Sequence, residues 1–395
     1  MRTAPAAPSP AQLLTALVST FLVLTSLVFT LPATTAAGQP AAGTRTSLPA
    51  AVVAGGPSYA LVPVAAGLNG PAGFTVSDAG KIWYLERGTG EVRLINPATG
   101  GNRLILDISG VDGSGERGAL GVALHPDFPA KPFVYVYVTR TDGGDKVNEL
   151  LRFRIRDGRK VGTQVLFKWA VNSATNHNGG RIVFGPEGKL WIVTGDNAVP
   201  STSQQVTNLR GKVLRVNPDG TIPASNPFGT RIYAFGIRNS FGFAFDPETG
   251  RPWETENGPS CNDEINLIVK GGNFAWGPNQ SCPANATDAT ASDTNQDGPL
   301  PRRFPKTRFA VPLGITGAAF CAGCGLGSAV AGDLVFSDVN TGAIRAIDLN
   351  ASRNGFDAAS RILFATGTSI LSMEAGPNGR IYVSSPTGIW RIVRT

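Results

Sequence analysis

His177 is the side chain in this sequence with the best setting for acid–base chemistry. It lies in the segment Asn-His-Asn-Gly-Gly-Arg, where polar residues and glycines surround it, directly before an apolar run. An imidazole that solvent can reach takes up a proton near neutral pH, so it can act as a general base. The second histidine, His125, lies in His-Pro-Asp-Phe after an apolar run and is interpreted as a structural turn residue.

Partners for His177 follow it along the chain. Asp196 ends the next apolar run, in Thr-Gly-Asp-Asn, and its carboxylate would raise the basicity of the imidazole if the two segments meet. Arg238 and Asn239 occur in Gly-Ile-Arg-Asn between apolar residues, where a cation can stabilise developing negative charge. We therefore expect these four residues to converge on one site.

A run of oxygen donors follows the segment that holds Arg238. It reads ENGPSCNDEINLIVKGGNF and combines carboxylates, amides and carbonyls in a short stretch. These are hard ligands, and calcium is the metal that they suit. The sequence therefore predicts that Glu264 and neighbouring carbonyls bind one calcium ion, which rigidifies the segment from Gly258 to Phe274.

The elements that carry these residues repeat along the chain. A turn followed by alternating apolar and aromatic positions reads SDAGKIWYLE at 77–86, GPEGKLWIVT at 185–194 and GPNGRIYVSS at 376–385, with a degenerate copy, DPETGRPWET, at 246–255. A second phrase usually follows, as in GEVRLIN, GKVLRVN, GAIRAID and GIWRIVR. The alternation predicts paired strands joined by tight turns.

This repetition predicts an all-β fold, a six-bladed β-propeller of four-stranded antiparallel blades over residues 58–395. The 49 glycines and 29 prolines agree with many tight turns and disagree with a helical bundle. The terminal GIWRIVRT is expected to close the ring beside the first strands. A β-sandwich or a tandem of small β domains is the alternative, but no linker interrupts the repeat. Residues 201–208 and 281–305 lack strand character and predict long loops.

The N-terminal segment predicts export. After Arg2, an apolar run from Leu13 ends in PATTAAG, which indicates a signal peptide over residues 1–37 with cleavage near Ala36 or Ala37. A flexible linker, residues 38–57, follows. A retained membrane anchor is the alternative, because the run approaches spanning length. We expect a secreted or extracytoplasmic protein without membrane association after cleavage. The net charge of +7 without a Lys/Arg run gives no reason to expect a nucleic-acid partner.

Cysteine usage agrees with an exported chain. The four cysteines are an even number, and exported proteins commonly pair them. Four cysteines allow three pairings. We predict the disulfides Cys261–Cys282 and Cys321–Cys324. The Cys-Ala-Gly-Cys spacing alone also fits a redox or metal motif, but no histidine lies near it.

Several segments together resemble the soluble quinoprotein glucose/sorbosone dehydrogenases. They are GALGVALHPDF, NHNGGRIVFGPEGKLWIVTGDN, GIRN and the run from ENGP to DEINLIVKGGN, and the resemblance extends from about Tyr59 to the end. It implies a six-bladed propeller that holds pyrroloquinoline quinone (PQQ) and Ca2+ on its top face. It also implies oxidation of the C1 hydroxyl of an aldose sugar or related alcohol, with an external electron acceptor.

The resemblance assigns a role to each matching residue. His177 matches the general base, Asp196 its carboxylate partner, and Arg238 and Asn239 the residues at the reactive quinone carbonyl. The remaining matches are the carbonyls of Gly258 and Pro259 as cofactor-side calcium ligands, Glu264 with the Phe274 carbonyl as a structural calcium site, and Glu116 and Asn176 facing the sugar.

The sequence departs from that family where basic residues hold the PQQ carboxylates. Asn340 stands where a lysine is expected, and Ser369 and Leu371 stand where two arginines are expected. Burying carboxylates without cations is costly, so we predict weak or absent PQQ binding unless Arg345 or Arg380 compensates. The alternatives are a non-catalytic propeller that binds carbohydrate or protein, and a calcium-dependent hydrolase such as a lactonase.

Overall fold

Six four-stranded antiparallel sheets form the computed structural model, which describes residues 58–279, 282, 297–299 and 301–395. Five of the sheets are built from strands that follow one another along the chain, and the sixth joins the two ends of the described chain. The predicted all-β six-bladed propeller is therefore confirmed, and the β-sandwich alternative is wrong. The predicted signal peptide (1–37) and linker (38–57) lie outside the described residues.

The first strand belongs to the last blade, and the next twelve strands build blades 1 to 3. Their bounds are β1 (Tyr59–Ala66); β2 (Pro71–Val76), β3 (Ile82–Glu86), β4 (Glu91–Asn96) and β5 (Gly101–Asp107) in blade 1; β6 (Ala119–Leu124), β7 (Phe133–Asp142), β8 (Asp145–Arg156) and β9 (Arg159–Ala170) in blade 2; and β10 (Gly179–Phe184), β11 (Leu190–Thr194), β12 (Lys212–Val216) and β13 (Ile232–Phe235) in blade 3.

The remaining strands build blades 4 to 6. Their bounds are β14 (Ser240–Phe245), β15 (Pro252–Glu256), β16 (Asp263–Leu267) and β17 (Thr307–Phe309) in blade 4; β18 (Ile315–Phe320), β19 (Leu334–Asp338), β20 (Ala343–Ile347) and β21 (Arg361–Ala365) in blade 5; and β22 (Ser372–Ala375), β23 (Ile381–Ser385) and β24 (Gly388–Arg394), which with β1 form blade 6. The described helical segments include short 3₁₀ turns at Pro200–Gln204 and Ser328–Val330.

The last blade closes the ring, as the sequence predicted. Strand β24 pairs antiparallel with β1, so that Tyr59 lies opposite Arg394 and Ala66 lies opposite Gly388. The terminal GIWRIVR segment thus hydrogen-bonds to the strand that begins the propeller. This pairing joins the two ends of a long ring of sheets through backbone hydrogen bonds.

The repeated phrase of the sequence builds the second strand of a blade. In blade 3 the turn before β11 closes with a 2.9 Å hydrogen bond from the Gly185 N–H to the Lys189 carbonyl. Gly188 has a φ of 69°, a left-handed conformation that glycine adopts without a steric penalty. Every residue of β11 is buried, because the adjacent blades cover both faces of the sheet. Thus Ile192 packs with blade 2, while Trp191 packs with Phe243 of blade 4.

Two features differ from the sequence-based expectation or extend it. Blade 2 lacks the repeated phrase and instead has long strands, with 12 residues each in β8 and β9. Within the predicted loop 201–208, the structure forms part of a 3₁₀ turn. Of the predicted loop 281–305, residues 281, 283–296 and 300 lie outside the described residues.

Both predicted disulfides are present. Cys261 pairs with Cys282 across 21 residues, and Cys321 pairs with Cys324 across 3 residues. No free cysteine occurs in the chain, since these four are all that it contains. Within the described ranges, no helix has the length and apolarity that a membrane crossing requires.

Removing the longer disulfide should cost stability. We expect the Cys261→Ala/Cys282→Ala variant to lose about 3 kcal/mol of unfolding free energy, because the bond limits the conformations of the unfolded chain. Guanidinium denaturation under non-reducing conditions measures the loss. The matched Cys321→Ala/Cys324→Ala variant removes a disulfide that closes a much shorter loop, so it should lose less unfolding free energy. Equal losses in the two variants would contradict the loop-length explanation.

Candidate active site

The candidate residues lie where the innermost strands of neighbouring blades begin. His177 lies two residues before β10, Arg238 and Asn239 directly precede β14, and Glu116 lies three residues before β6. Asp196 follows the end of β11, which runs antiparallel to β10 and therefore ends on the same side. Loops from blades 1 to 4 thus meet at one end of the central channel, which we call the active-site end.

A short contact joins His177 and Asp196. The His177 Nδ1 lies 2.7 Å from the Asp196 Oδ1, and the aspartate side chain is fully buried while 10% of the histidine side chain is exposed. The carboxylate accepts the Nδ1 proton, so the unprotonated ring nitrogen is Nε2. No described residue hydrogen-bonds to Nε2. The arrangement therefore presents a ring nitrogen that can receive a proton from a bound hydroxyl.

The backbone of His177 adopts a strained conformation. Its φ is 57°, in the left-handed region that residues other than glycine rarely adopt. The Glu116 Oε2 accepts a 2.6 Å hydrogen bond from the His177 N–H, and the Asn197 amide donates to the His177 carbonyl at 3.0 Å. A Cβ atom at Gly195 would lie 2.2 Å from that carbonyl, so only glycine fits there. These contacts hold the imidazole in one orientation.

Arg238 places a cation beside the His177–Asp196 pair. Its carbonyl accepts a 2.8 Å hydrogen bond from the Asp196 N–H, and its Nη1 donates to the Asn257 carbonyl at 2.7 Å. The guanidinium carbon lies 5.4 Å from the centre of the Trp276 ring. Burial lowers the pKa of Arg238 from its ordinary value. The buried Nε has no hydrogen-bond partner among the described residues, which leaves donor capacity for a bound oxygen.

Glu116 and Asn239 connect the loops around His177. The Asn239 Oδ1 accepts from the Gly179 N–H at 3.3 Å, and its Nδ2 donates to the Glu116 Oε2 at 3.1 Å. Glu116 therefore uses one carboxylate oxygen to hold the site together, in addition to the sugar-facing position that the resemblance implies. Asn176 is exposed beside the histidine. The structure thus brings together all six residues predicted for the catalytic, quinone and sugar positions.

Trp276 is a site residue that sequence reasoning missed. It is almost fully buried, and its Nε1 donates a 2.8 Å hydrogen bond to the Asp196 Oδ2. The Asp196 Oδ1 also accepts a 2.7 Å bond from the Ala198 N–H, so both oxygens of the carboxylate are held. The only signal in the sequence is a tryptophan two residues after the segment that is interpreted as metal-binding. Its contact spans 80 residues, which no local pattern reveals.

Removing the indole N–H should impair the pair that it supports. We expect Trp276→Phe to lower kcat/KM by about 10-fold, as is typical for a residue that orients a functional group through another. Trp253→Phe is the matched control, since that indole is buried without a hydrogen-bond partner among the described residues. Equal losses of kcat/KM in the two variants would show that Trp276 acts only through packing.

The predicted calcium ligands occupy two places. Gly258 and Pro259 lie in the turn after β15, near Arg238, and the Gly258 N–H donates to the Asp263 Oδ1 at 2.8 Å. Glu264 is buried in β16 beside two further buried acids, Glu254 and Glu256. The described residues contain no group of three or more histidine, cysteine or acidic side chains arranged to hold a metal. Calcium binding by Glu264, Phe274 and the turn carbonyls therefore stays a prediction.

The positions expected to hold the PQQ carboxylates carry no charge. Asn340 is exposed in the turn after β19, the Ser369 Oγ donates to the Val339 carbonyl at 2.8 Å, and Leu371 precedes β22. These three residues lie at the active-site end of blades 5 and 6, where cations were expected. The site therefore fits the reactive end of PQQ, through His177 and Arg238, but offers the carboxylates no cation at these three positions.

The two nearby arginines do not replace the expected cations. Arg345 lies within β20 and forms an ion pair with the buried Asp338 at 3.6 Å. Arg380 lies in the turn between β22 and β23, at the opposite end of the channel. The structure therefore gives no support for compensation by these two residues.

The fold and the site together define a propeller with a histidine–carboxylate pair and an arginine at one end of its channel. Residues 68–393 match the family model described as Glucose / Sorbosone dehydrogenase, and the chain belongs to this family. The match covers nearly the whole propeller, as the sequence resemblance predicted.

Three known proteins show what this chain is similar to. Quinoprotein glucose dehydrogenase B of Acinetobacter calcoaceticus is 33% identical over 241 residues, which is 53% of this chain and 50% of that protein. The PQQ-bound aldose sugar dehydrogenase of Streptomyces coelicolor shares the fold with a TM-score of 0.72, at 24% identity over 85% of this chain and 98% of that chain. Hedgehog-interacting protein of Homo sapiens is 28% identical over 200 residues, 43% of this chain and 28% of that protein.

Proposed function

We propose that this protein oxidises the C1 hydroxyl of an aldose sugar or a related alcohol, with His177 as the general base. The observation that carries the proposal is the 2.7 Å contact between the His177 Nδ1 and the Asp196 Oδ1, with Nε2 left free. The match to the family supports an oxidoreductase. The matched segment spans half the length of the Acinetobacter protein, so its activity is applied to this chain only as a proposal.

The residues of the site have distinct tasks in this reaction. The hydroxyl proton passes to the His177 Nε2, the C1–H bond breaks, and the carbon becomes a carbonyl carbon. Asp196 stabilises the imidazolium that forms, because its carboxylate already accepts the Nδ1 proton. Arg238 can donate to an oxygen on which negative charge develops. Asn176 and the free oxygen of Glu116 can bind sugar hydroxyls.

PQQ, when bound, supplies a quinone that accepts the hydride. Arg238 and Asn239 would hold its reactive carbonyl, and the carbonyls of Gly258 and Pro259 would hold a calcium ion beside it. An external electron acceptor is then needed to regenerate the quinone. Asn340, Ser369 and Leu371 are uncharged. We therefore expect this protein to require a higher PQQ concentration than relatives that have basic residues at these positions.

Reconstitution with PQQ and calcium tests the proposal. The purified protein is titrated with both, and dye reduction is measured over several aldoses. Turnover that requires PQQ and falls on His177→Gln substitution supports the proposal. Absence of turnover at saturating PQQ, with binding of PQQ demonstrated calorimetrically, would contradict it.

A non-catalytic propeller that binds carbohydrate or a protein partner is the second candidate. The uncharged residues at 340, 369 and 371 favour it, and the name of the human relative indicates that a family relative interacts with a protein. Glycan binding without any turnover, in protein that does not bind PQQ, would support this candidate. For the calcium-dependent hydrolase, no carboxylate-rich metal centre is gathered within the described part of the chain.

We also propose that the protein is exported and acts outside the cytoplasm. The proposal rests on the apolar N-terminal run and the small residues after it. N-terminal sequencing of the mature protein tests it: a start near Gly38 supports cleavage, and an intact N-terminus in the membrane fraction supports the retained anchor.

Calcium should stabilise the segment that begins at Gly258. Burial raises the pKa of the Glu264 carboxyl, and the nearby negative charge of Glu254 raises it further, so a cation would favour the ionised form. We expect a chelator to lower the melting temperature by several degrees and added calcium to restore it. Glu264→Gln should abolish the calcium response. An unchanged melting temperature after complete metal removal would count against the site.

A further inference from the structure

A cavity lies at the end of the channel opposite His177. Its volume is about 550 Å³, which is within the range of small-molecule sites. The far ends of the innermost strands of all six blades line it. None of the residues assigned to the candidate active site contributes to its wall.

Arg181 lies on one side of this cavity and belongs to blade 3. Its Nε donates to the Phe241 carbonyl at 3.1 Å, and its Nη2 donates to the Thr316 carbonyl at 3.4 Å. Backbone carbonyls of blades 4 and 5 therefore fix the guanidinium. Its Nη1 has no hydrogen-bond partner among the described residues. The arginine thus offers one free donor nitrogen and a positive charge to the cavity.

Glu374 faces Arg181 from blade 6, which stands opposite blade 3 in a ring of six. One carboxylate oxygen, Oε1, accepts from the Thr75 Oγ1 at 2.6 Å and from the Val76 N–H at 3.4 Å. The other oxygen, Oε2, has no partner in the part of the chain that the structure describes. Burial raises the pKa of Glu374 to about 7, although the charge of Arg181 acts to lower it.

The two charged groups do not satisfy each other. They interact electrostatically, but they form no ion pair with one another, and each is anchored to a different neighbouring blade. Both groups are partly buried, and each keeps one polar atom without a hydrogen-bond partner among the described residues. A ligand that carries a carboxylate for Arg181 and an ammonium for Glu374 would therefore be favoured. The cavity wall therefore carries two groups that are complementary to a zwitterion.

Aromatic rings line the cavity toward its mouth, together with polar residues that include Asp78 and His125. Phe184 lies three residues beyond Arg181 in β10, which places it about 10 Å nearer the opening. Phe245 and Phe320 line the cavity at the equivalent ends of β14 and β18. A ligand that enters with its charged groups first would leave its apolar body among these rings.

We propose that this cavity binds a free α-amino acid with an aromatic or large aliphatic side chain. The carboxylate of the ligand contacts the Arg181 Nη1, and its ammonium contacts the Glu374 Oε2. The side chain packs against Phe184, Phe245 and Phe320. This site is independent of the sugar-oxidising function proposed above, because it uses other residues at the other end of the channel.

Calorimetry with three related ligands tests the proposal. L-Phenylalanine carries both charges, 3-phenylpropionate lacks the ammonium, and 2-phenylethylamine lacks the carboxylate. We expect L-phenylalanine to bind at least about 10-fold more tightly than either analogue, since each analogue loses one charged hydrogen bond. No detectable binding of L-phenylalanine, or an affinity equal to that of an analogue, would overturn the proposal.

Two variants assign the charged contacts. Arg181→Gln should lose the advantage that the carboxylate confers, so that L-phenylalanine and 2-phenylethylamine bind equally. Glu374→Gln should make L-phenylalanine and 3-phenylpropionate equal. Melting curves verify that each variant folds. If Arg181→Gln is unstable, Arg181→Lys replaces it, because lysine keeps the positive charge. A lysine variant that still prefers L-phenylalanine to 2-phenylethylamine supports the contact. His177→Gln should leave all three affinities unchanged, and a loss there would place the ligand at the active-site end and overturn the proposal.

Discussion

His177→Gln should lower kcat for sugar oxidation by about 10²–10⁴-fold, the usual contribution of a general base. The substitution removes the Nε2 acceptor, and no described residue offers a second free imidazole at the active-site end. Asp196→Asn should be nearly as harmful, because an amide no longer selects the tautomer that leaves Nε2 unprotonated. Steady-state kinetics with the reconstituted protein measures both losses, mainly in kcat.

A matched control separates a lost base from a damaged fold. Asp219→Asn changes an exposed carboxylate in the turn after β12, away from the active-site end, and should leave kcat unchanged. PQQ affinity should also be unaffected in the His177 variant, since the imidazole is not expected to hold the cofactor carboxylates. Full activity of His177→Gln would show that another group accepts the proton.

Restoring the missing cations should change PQQ affinity by the largest factor of all. We expect Asn340→Lys/Ser369→Arg/Leu371→Arg to bind PQQ at least about 10³-fold more tightly than the unmodified protein, because each charged hydrogen bond contributes about 1.5–3 kcal/mol. The three positions lie together at the active-site end, and the Ser369 Oγ already contacts the Val339 carbonyl next to Asn340. Titration of PQQ into calcium-loaded protein measures the change.

A control with the same added charge distinguishes a specific contact from a general attraction. Ala98→Lys/Ala351→Arg/Ala358→Arg adds three cations at exposed positions near the opposite end and should leave PQQ affinity within about 3-fold of the original value, since exposed charges are screened over such distances. Tight binding of PQQ by the unmodified chain would show that other residues hold its carboxylates.

The repeated strand phrase explains why the fold could be predicted. Strands β3, β11 and β23 coincide with the three full copies of the phrase, and most of the second phrases form the third strands of their blades. Blade 2 could not be located in this way, because β8 and β9 form a long hairpin without the phrase. Blade 2 was expected only because the length of the chain is enough for six blades.

Only part of the candidate site could be predicted from local sequence. His177 and Asp196 lie on consecutive parts of one blade, separated by 19 residues, so their meeting follows from one antiparallel turn. The contacts of Glu116 with His177 and of Trp276 with Asp196 cross between blades and span 61 and 80 residues. They depend on how the ring places its loops, which no local pattern encodes. Arg181 and Glu374 were missed because a polar residue within an inner strand looks like ordinary strand alternation.

The pairing of β1 with β24 also determines how the molecule can be attached to something else. Tyr59 lies opposite Arg394, so both ends of the propeller leave it from the two outermost strands of blade 6. Both also leave it on the side away from His177, because β1 runs from that side toward the start of the innermost strand β2. Protein immobilised on an electrode or bead through residues next to Tyr59 or Arg394 would therefore present the His177 end to the solution, with the cavity lined by Arg181 and Glu374 turned toward the support.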